Sequence, residues 1–181
     1  ENLRKGGYDP NGFLKEHLEW NKAISERRAA GILLHISSLP NRYGIGTMGK
    51  AAYSFVDLLS ESKIKYWQIL PLVQTSYGDS PYQSAYSGSG NPYFIDLEFL
   101  VEEGLLKKSE LSACRNTKSK IDYAFLYKNK YAVLRRAYER FDVHGAGFVS
   151  FVGQGRFGGY ALFMSIKEKF GGAPFDKWPN K

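Results

Sequence analysis

Cysteine is all but missing from this sequence: Cys114 is the only one in 181 residues. A lone thiol cannot close an internal disulfide, which excludes the disulfide-stapled secreted scaffolds. A reducing compartment, the cytoplasm, is the expected location. Histidine is scarce as well. His17, His35 and His144 lie far apart, with no cysteine or acid clustered beside them, so no metal site is expected. Long apolar runs are lacking; Ile69 to Val73 is typical of the longest. A membrane-spanning helix needs about 20 consecutive apolar residues, so no membrane partner is expected. The opening stretch, polar from Glu1 through Gly12, does not read as a secretory leader.

What is present describes a globular chain. Hydrophobic residues make up 43% and charged residues 24%, and the length suffices to bury a core. The net charge of +7 raises nucleic acid as a partner. The Lys and Arg are scattered, however, with short clusters such as Arg27-Arg28, Lys107-Lys108 and Arg135-Arg136. Scattered charge reads as a solvated face rather than a binding stripe, so no nucleic-acid partner is expected. Tyrosine and phenylalanine are abundant, at 13 and 12. Many tyrosines sit in Gly/Ser/Pro loops, where a core role is less automatic.

Residues 1–27 read as a flanking segment, with Phe13, His17, Trp20 and Ile24 at helical spacing. Gly31 to Ile36 is a short apolar run that predicts a buried strand. Ser37 to Gly49 is a Pro/Gly loop. Lys50 to Lys63 predicts a helix, with Ala52, Phe55, Val56, Leu59 and Ile64 at helical intervals. Tyr66 to Leu72 predicts a second buried strand. Strand, helix, strand at this spacing is a βαβ unit, which calls for a parallel pair and a right-handed crossover. A long loop follows, Val73 to Pro92. Loops of that length in a compact domain are usually functional or disordered. Phe94 to Leu97 predicts a short strand and Glu98 to Gly104 a helical turn. Tyr127, Tyr131, Leu134, Tyr138 and Phe141 predict a helix over 122–141, and Leu162, Phe163, Ile166 and Phe170 predict another over 160–170. The chain is α/β first and mostly helical later, with no internal repeat.

Two stretches match the glycine spacing of dinucleotide-binding turns, Gly44 to Gly49 and Gly153 to Gly158. That mechanism needs the turn at the strand end and an acid about 20 residues on. Leu39 to Tyr43 intervene before the first match, no acid stands near Gln68 to Leu70, and the second follows no clear strand. The glycines therefore read as turn residues. His35 has Ser37 and Ser38 close by, but no acid is placed to orient it, so it reads as a buried histidine with its hydrogen bonds satisfied. Gly88-Ser89-Gly90 is too short for a nucleophile elbow.

The strongest local signal is Tyr77-Gly-Asp-Ser-Pro-Tyr-Gln-Ser84, at the carboxyl end of the second strand. Ligand chemistry in parallel α/β folds collects on that side. The composition suits a sugar. Tyr77 and Tyr82 offer flat apolar faces with polar hydroxyls. Asp79, Ser80 and Gln83 can hydrogen-bond vicinal hydroxyls, and Pro81 stiffens the loop. An ordered turn capped by Asp79 accounts for these residues equally well.

Several segments, in one order, are similar to the amylomaltases, 4-α-glucanotransferases of the α-amylase-like glycoside hydrolases. They are Ala30 to Pro40, Tyr43 to Gly46, Tyr66 to Leu72, Tyr77 to Ser84 and Asn91 to Leu97. Ile121 to Tyr123, Tyr127 and the stretch from Tyr160 to Pro179 also resemble that family, so the likeness runs from about Arg28 to Lys181. It implies α/β architecture: the start of a (β/α)8 TIM barrel with a helical insertion subdomain, the barrel incomplete in this chain. The domains would be 1–27 flanking, 28–100 first strands and substrate loop, and 101–181 helical insertion. No cofactor and no metal is implied. The partner is a maltodextrin or other α-1,4-glucan, whose segments are moved from one chain to another with retention. That chemistry needs two carboxyl groups about 5–5.5 Å apart. The family keeps its catalytic carboxylates on later strands and none matches a position here, so no catalytic residue is assigned.

The resemblance carries over substrate contacts instead. Ser80 and Tyr82 match residues lining the donor side of the cleft, with Asp79 and Gln83 as neighbours in the same motif. Tyr77 and Tyr127 match aromatic positions of an outlying glucan site, and His35 and Ser38 match support for the cleft floor. Ala85 to Gly90 and Gly153 to Gly159 depart from the family pattern, and residues 1–27 match nothing in it. Two functions follow: an amino-terminal portion of a glucanotransferase, or a non-catalytic glucan-binding module. An open piece of parallel barrel would also expose strand edges and apolar surface.

Overall fold

A computed structural model describes residues 29–76 and 78–179. The helix expected around Phe13 to Ile24, together with His17, and the side chain of Tyr77 lie outside the described residues. The first elements form the expected βαβ unit: β1 (Gly31–Leu33), α1 (Lys50–Glu61) and β2 (Tyr66–Gln68). The strands pair in parallel, with Gly31 opposite Tyr66 and Leu33 opposite Gln68. Backbone bonds continue the ladder at both ends, from Lys65 N to Ala30 O and from Leu34 N to Gln68 O.

Both strands are shorter than their apolar runs. His35 turns the chain into a 3-10 helix at Ile36–Ser38. Pro71, which has no backbone N–H to donate, follows closely after β2. Neither strand is buried as expected: Ile32 and Leu33 are exposed in the described structure. In α1, Ala52 and Leu59 face the core, whereas Val56 faces solvent.

The expected strand over Phe94 to Leu97 is absent, and capping explains why. Asn91 caps a 3-10 turn at Pro92–Phe94 by accepting from Tyr93 N at 3.0 Å. Asp96 then caps α2 (Leu97–Glu102), accepting from Glu98 N at 2.8 Å. Two capping residues five positions apart leave no extended segment long enough to pair.

A 3-10 segment at Lys108–Cys114 leads to the long helix α3 (Tyr123–Arg140), capped by Asp122. The helix is where the spacing predicted it, but its buried face is Leu126, Lys130, Val133 and Ala137. The tyrosine stripe read as core is displaced by one position, about 100° around the axis. Tyr127 and Tyr138 face solvent. Short helix α4 (Ala146–Gly153), not foreseen, precedes α5 (Gly158–Lys169). In α5 the half-buried face is Phe163, Ile166 and, at its end, Phe170; Leu162, expected inward, is exposed.

The core has two parts. One joins Ile36, Leu39, Ile45 and Ala52 to Tyr93, Phe94 and Leu126. The other joins Tyr43, Leu97, Leu106 and Leu111 to Cys114, Val133 and Ala137. Helix α3 contributes to both, so it clamps the βαβ unit to the later helical segments. Each large apolar side chain fully buried here contributes roughly 1.5–3 kcal/mol. Among the described residues no helix is long and apolar enough to cross a membrane.

The first glycine cluster is explained by close packing more than by turns. A Cβ at Gly46 would lie 1.9 Å from the Ile36 carbonyl oxygen, and one at Gly49 would lie 1.9 Å from Asp96 Oδ2. Only Gly44, at φ +82°, also needs the left-handed backbone.

Candidate functional site

The loop after β2 is a tied structure. Thr75 and Ser84 form an antiparallel bridge. Ser76 donates to Gln83 O from both its N–H (3.0 Å) and its hydroxyl (2.9 Å). At the tip, Asp79 N donates to Ser76 O and Gln83 N to Ser80 O. Gly78 and Asp79 both take positive φ, +101° and +55°. Asp is among the residues that tolerate this region, and a β-branched residue would not.

Gln74 anchors the base of the loop to the helices. Its Nε2 donates to the Tyr131 hydroxyl at 3.0 Å, and its Oε1 accepts from the Tyr160 hydroxyl. Its backbone N–H donates to Ser89 Oγ, and its carbonyl accepts from Ser84 Oγ. One amide thus ties the loop to α3 and α5. The sequence held no signal for this, because a single glutamine in a polar loop is unremarkable by pattern.

Two clefts open at the tip of this loop. The larger, about 750 Å³, is walled by Tyr93, Tyr123, Tyr127 and Tyr131 opposite Gln74 to Ser76, Gly78 and Asp79. Tyr131 lies between Tyr93 and Tyr127, with ring centroids at 5.5 and 5.4 Å. The smaller, about 150 Å³, is lined by His35, Ser37, Ser38, Leu70, Asn91 and Phe94, and shares Thr75, Asp79 and Tyr123 with the first. Asp79 therefore stands at the junction of both.

The candidates from sequence divide accordingly. Asp79 and Tyr127 meet in the aromatic cleft; His35, Ser38 and Asp79 meet in the smaller one. Ser80, Tyr82 and Gln83 line neither. Ser80 Oγ accepts from Tyr82 N at 3.3 Å, and the Tyr82 side chain stands out in solvent, 75% exposed. Tyr93, Tyr123 and Tyr131 were missed as lining residues. A signal existed: Tyr123, Tyr127 and Tyr131 recur every four residues, so they share one helix face.

Burial sets the electrostatics. Desolvation, then the Asp79 charge, pushes the Tyr93 phenol up to about 12. Tyr123 and Tyr131 are raised as well, chiefly by burial. These hydroxyls stay protonated at neutral pH and can donate as well as accept. Asp79 is itself raised by burial. His35 is buried; its Nδ1 accepts from Leu70 N at 3.2 Å and its ring meets Phe94 edge-on at 5.3 Å. Burial lowers its pKa, so it is a neutral imidazole with the proton on Nε2. The histidine is buried as the sequence suggested, with Nδ1 paired to Leu70 N.

Among the described residues that line the two clefts, Asp79 is the one carboxylate. The arrangement offers flat aromatic faces, hydroxyls and one anionic acceptor. It can hold a neutral polyhydroxylated ligand, but it holds no second acid with which to break a glycosidic bond.

The 4-alpha-glucanotransferase family profile matches residues 34–181. The chain is 45% identical over 161 residues to the 4-alpha-glucanotransferase of Streptococcus pneumoniae serotype 4, covering 86% of this chain and 32% of that protein. It is 46% identical over 150 residues to the Clostridium butyricum 4-alpha-glucanotransferase, covering 80% of this chain and 31% of that one. The solved amylomaltase from Streptococcus agalactiae in complex with acarbose aligns at a TM-score of 0.77 and 39% identity, over 85% of this chain and 32% of that structure. The chain thus spans about a third of the length of the curated relatives it matches. Most of its residues fall within the family match, and the chain belongs to the 4-alpha-glucanotransferase family.

Proposed function

We propose that this chain provides glucan-binding surface and scaffold to a 4-α-glucanotransferase, an enzyme that moves α-1,4-glucan segments between maltodextrins with retention. The observation that carries the reading is the junction at Asp79, where an aromatic cleft and a polar one meet beside β2 in a chain of this family. Parallel β1 and β2 would be the first strands of a (β/α)8 barrel, and residues 101–181 its helical insertion. The loop side chains Ser80 and Tyr82, with Gln83 beside them, would face the donor glucan at the rim, Tyr77 and Tyr127 would belong to an outlying glucan site, and His35 and Ser38 would support the floor.

The chemistry needs an acid/base carboxyl and a nucleophilic carboxylate about 5–5.5 Å apart, with a sugar hydroxyl accepting the glycosyl group. Among the described residues no pair in the clefts meets that requirement, and by the family resemblance the reacting carboxylates would lie on later strands, outside these 181 residues. Cysteine usage favours the cytoplasm, where maltodextrins would be the partner. The test is incubation of the full-length protein carrying this chain with maltotriose. Release of glucose together with longer dextrins is expected; hydrolysis alone, or no reaction, overturns the reading.

The single carboxylate in the clefts also favours a second reading, a glucan-binding module without catalysis. It predicts saturable maltodextrin binding with no new products. Product formation from maltotriose rejects it.

A further inference from the structure

A third cleft continues the two already described. It measures about 370 Å³ and shares Ser37 and Ser38 with the smaller cleft, while its far wall is Asn116, Lys118, Ser119 and Ile121. The three clefts adjoin through shared lining residues: Thr75, Asp79 and Tyr123 line the first two, and the serines after β1 line the second and the third.

The far wall is held in place by backbone. Asn116 forms a parallel bridge with Tyr43, and its N–H donates to Arg42 O at 3.0 Å. Gly44 takes φ +82°, and a Cβ there would sit 3.1 Å from Asn116 Cβ. The bend of residues 116–118 is fixed by Asn116 Oδ1, which accepts from Lys118 N at 3.1 Å. The wall is thus tied to the loop after β1.

The chemistry of the lining changes here. No aromatic side chain lines this cleft. The hydroxyls of Ser37, Ser38 and Ser119 and the Nδ2 of Asn116 make no side-chain hydrogen bond among the described residues, so they are free to meet a ligand. Lys118 is paired with Asp122 at 3.3 Å, which offsets its charge. A neutral polyol suits such a wall better than an anion does, because the one cation is already balanced and the remaining groups are neutral donors and acceptors.

Resting on the glucanotransferase reading, we propose that this polar cleft is an additional glucan subsite, with Asn116 and Ser119 binding sugar hydroxyls of longer chains. A short dextrin held in the first two clefts would not reach it, whereas a long one would run into it. Asn116 and Ser119 then set a preference for chain length.

The experiment measures KM for maltotriose and for maltoheptaose with full-length protein. The variants are Asn116→Asp and Ser119→Ala. Asn116→Asp keeps the acceptor for Lys118 N and removes the Nδ2 donor. Ser119 is exposed, so Ser119→Ala leaves the fold intact if the first variant does not. The ratio of maltoheptaose KM to maltotriose KM is expected to rise about three- to tenfold, the loss of one hydrogen bond to a neutral partner. An unchanged ratio in Ser119→Ala, with wild-type protein converting both dextrins, overturns this inference alone. Wild-type protein that converts neither overturns the glucanotransferase reading and this inference with it.

Discussion

The ammonium of Lys130 donates to the backbone carbonyl of Tyr93 at 2.6 Å, with the lysine side chain wholly buried. The bond pins α3 to the 3-10 turn that precedes α2. Desolvation is the main influence on this amine and pushes its pKa down to about 8; the nearby Asp96 charge opposes the shift. The unfolded chain then binds more protons than the folded one between about pH 8 and the ordinary lysine pKa of 10.5. Stability contributed by this group is present in full above 10.5 and is lost as pH falls through about 8.

Tyrosines limit the window from above. Tyr43 and Tyr93 are both raised to about 12, mainly by burial. Stability they contribute is lost as pH rises past 10, where the unfolded phenols ionise first. Resistance to denaturant should therefore rise between pH 8 and 10, by on the order of 2 kcal/mol, and decline beyond. Lys130→Met should abolish the rise. A slope that persists in the variant would show that another group is responsible.

The same lysine shows why the buried face of α3 was not legible. Pattern reading takes apolar positions as core, and a lysine within the stripe breaks the pattern. The tyrosines beside it resembled core because their rings are apolar, yet a ring can lie along a cleft with its edge in water. The βαβ unit was legible because two apolar runs flanking a helical period leave few alternatives. Phe94 to Leu97 misled because four residues satisfy a strand and a capped helix start equally, and Asn91 and Asp96 were the informative ones. In the loop from Tyr77 to Ser84 the residue types suggested a sugar. Which side chains share a cleft was hidden, because it depends on the positive φ at Gly78 and Asp79.

Gly46→Ala should be severely destabilising. The new methyl would meet the Ile36 carbonyl oxygen at 1.9 Å and the Leu39 N and O at 2.8 Å. All three are backbone atoms and cannot rotate away, so the loop after β1 must move; a loss of about 3 kcal/mol or more is expected. Gly90→Ala is the matched control, with nothing within 4 Å of the added carbon. Its change should stay within about 0.5 kcal/mol. Denaturation midpoints of the two variants check the difference.

Asp79 combines a positive φ with a place in the lining of both clefts, and two substitutions separate the backbone from the proposed ligand role. Asn tolerates φ +55° but carries no charge. Asp79→Asn should leave thermal stability nearly intact and weaken maltodextrin binding by about tenfold, the loss of a charge-assisted acceptor. Asp79→Val should also lower stability, by about 1–2 kcal/mol, because a β-branched residue resists that backbone. The raised pKa adds a pH dependence: wild-type affinity should begin to fall above pH 3.8 as acid is added, and Asp79→Asn should not follow it. Titration calorimetry across pH reads both effects.

Tyr127 is 70% exposed and meets Tyr131 edge-on at 5.4 Å. Its ring is available to a ligand at little expense to the core. Tyr127→Ala should change stability by less than about 1 kcal/mol and reduce affinity for maltoheptaose several-fold, as expected when a flat apolar surface is withdrawn from a sugar face. Tyr127→Phe should retain most of the affinity. Equal losses in both variants would assign the contact to the hydroxyl instead.

Gln74 is shared by two helices, so its partners should be coupled. Tyr131→Phe removes the acceptor for Gln74 Nε2, and Tyr160→Phe removes the donor to Oε1. Either change alone should cost about 1 kcal/mol, because a half-buried amide is left with one unpaired atom. Once one bond is gone the amide is free to turn toward solvent, and the second loss matters less. The double variant should therefore be less destabilised than the sum of the singles, by about 0.5 kcal/mol or more. Strict additivity in a double-mutant cycle would show that α3 and α5 hold the loop independently of Gln74. The coupling also has a functional readout: both single variants should raise the KM for maltodextrin, since the segment from Thr75 to Ser84 is positioned through that amide.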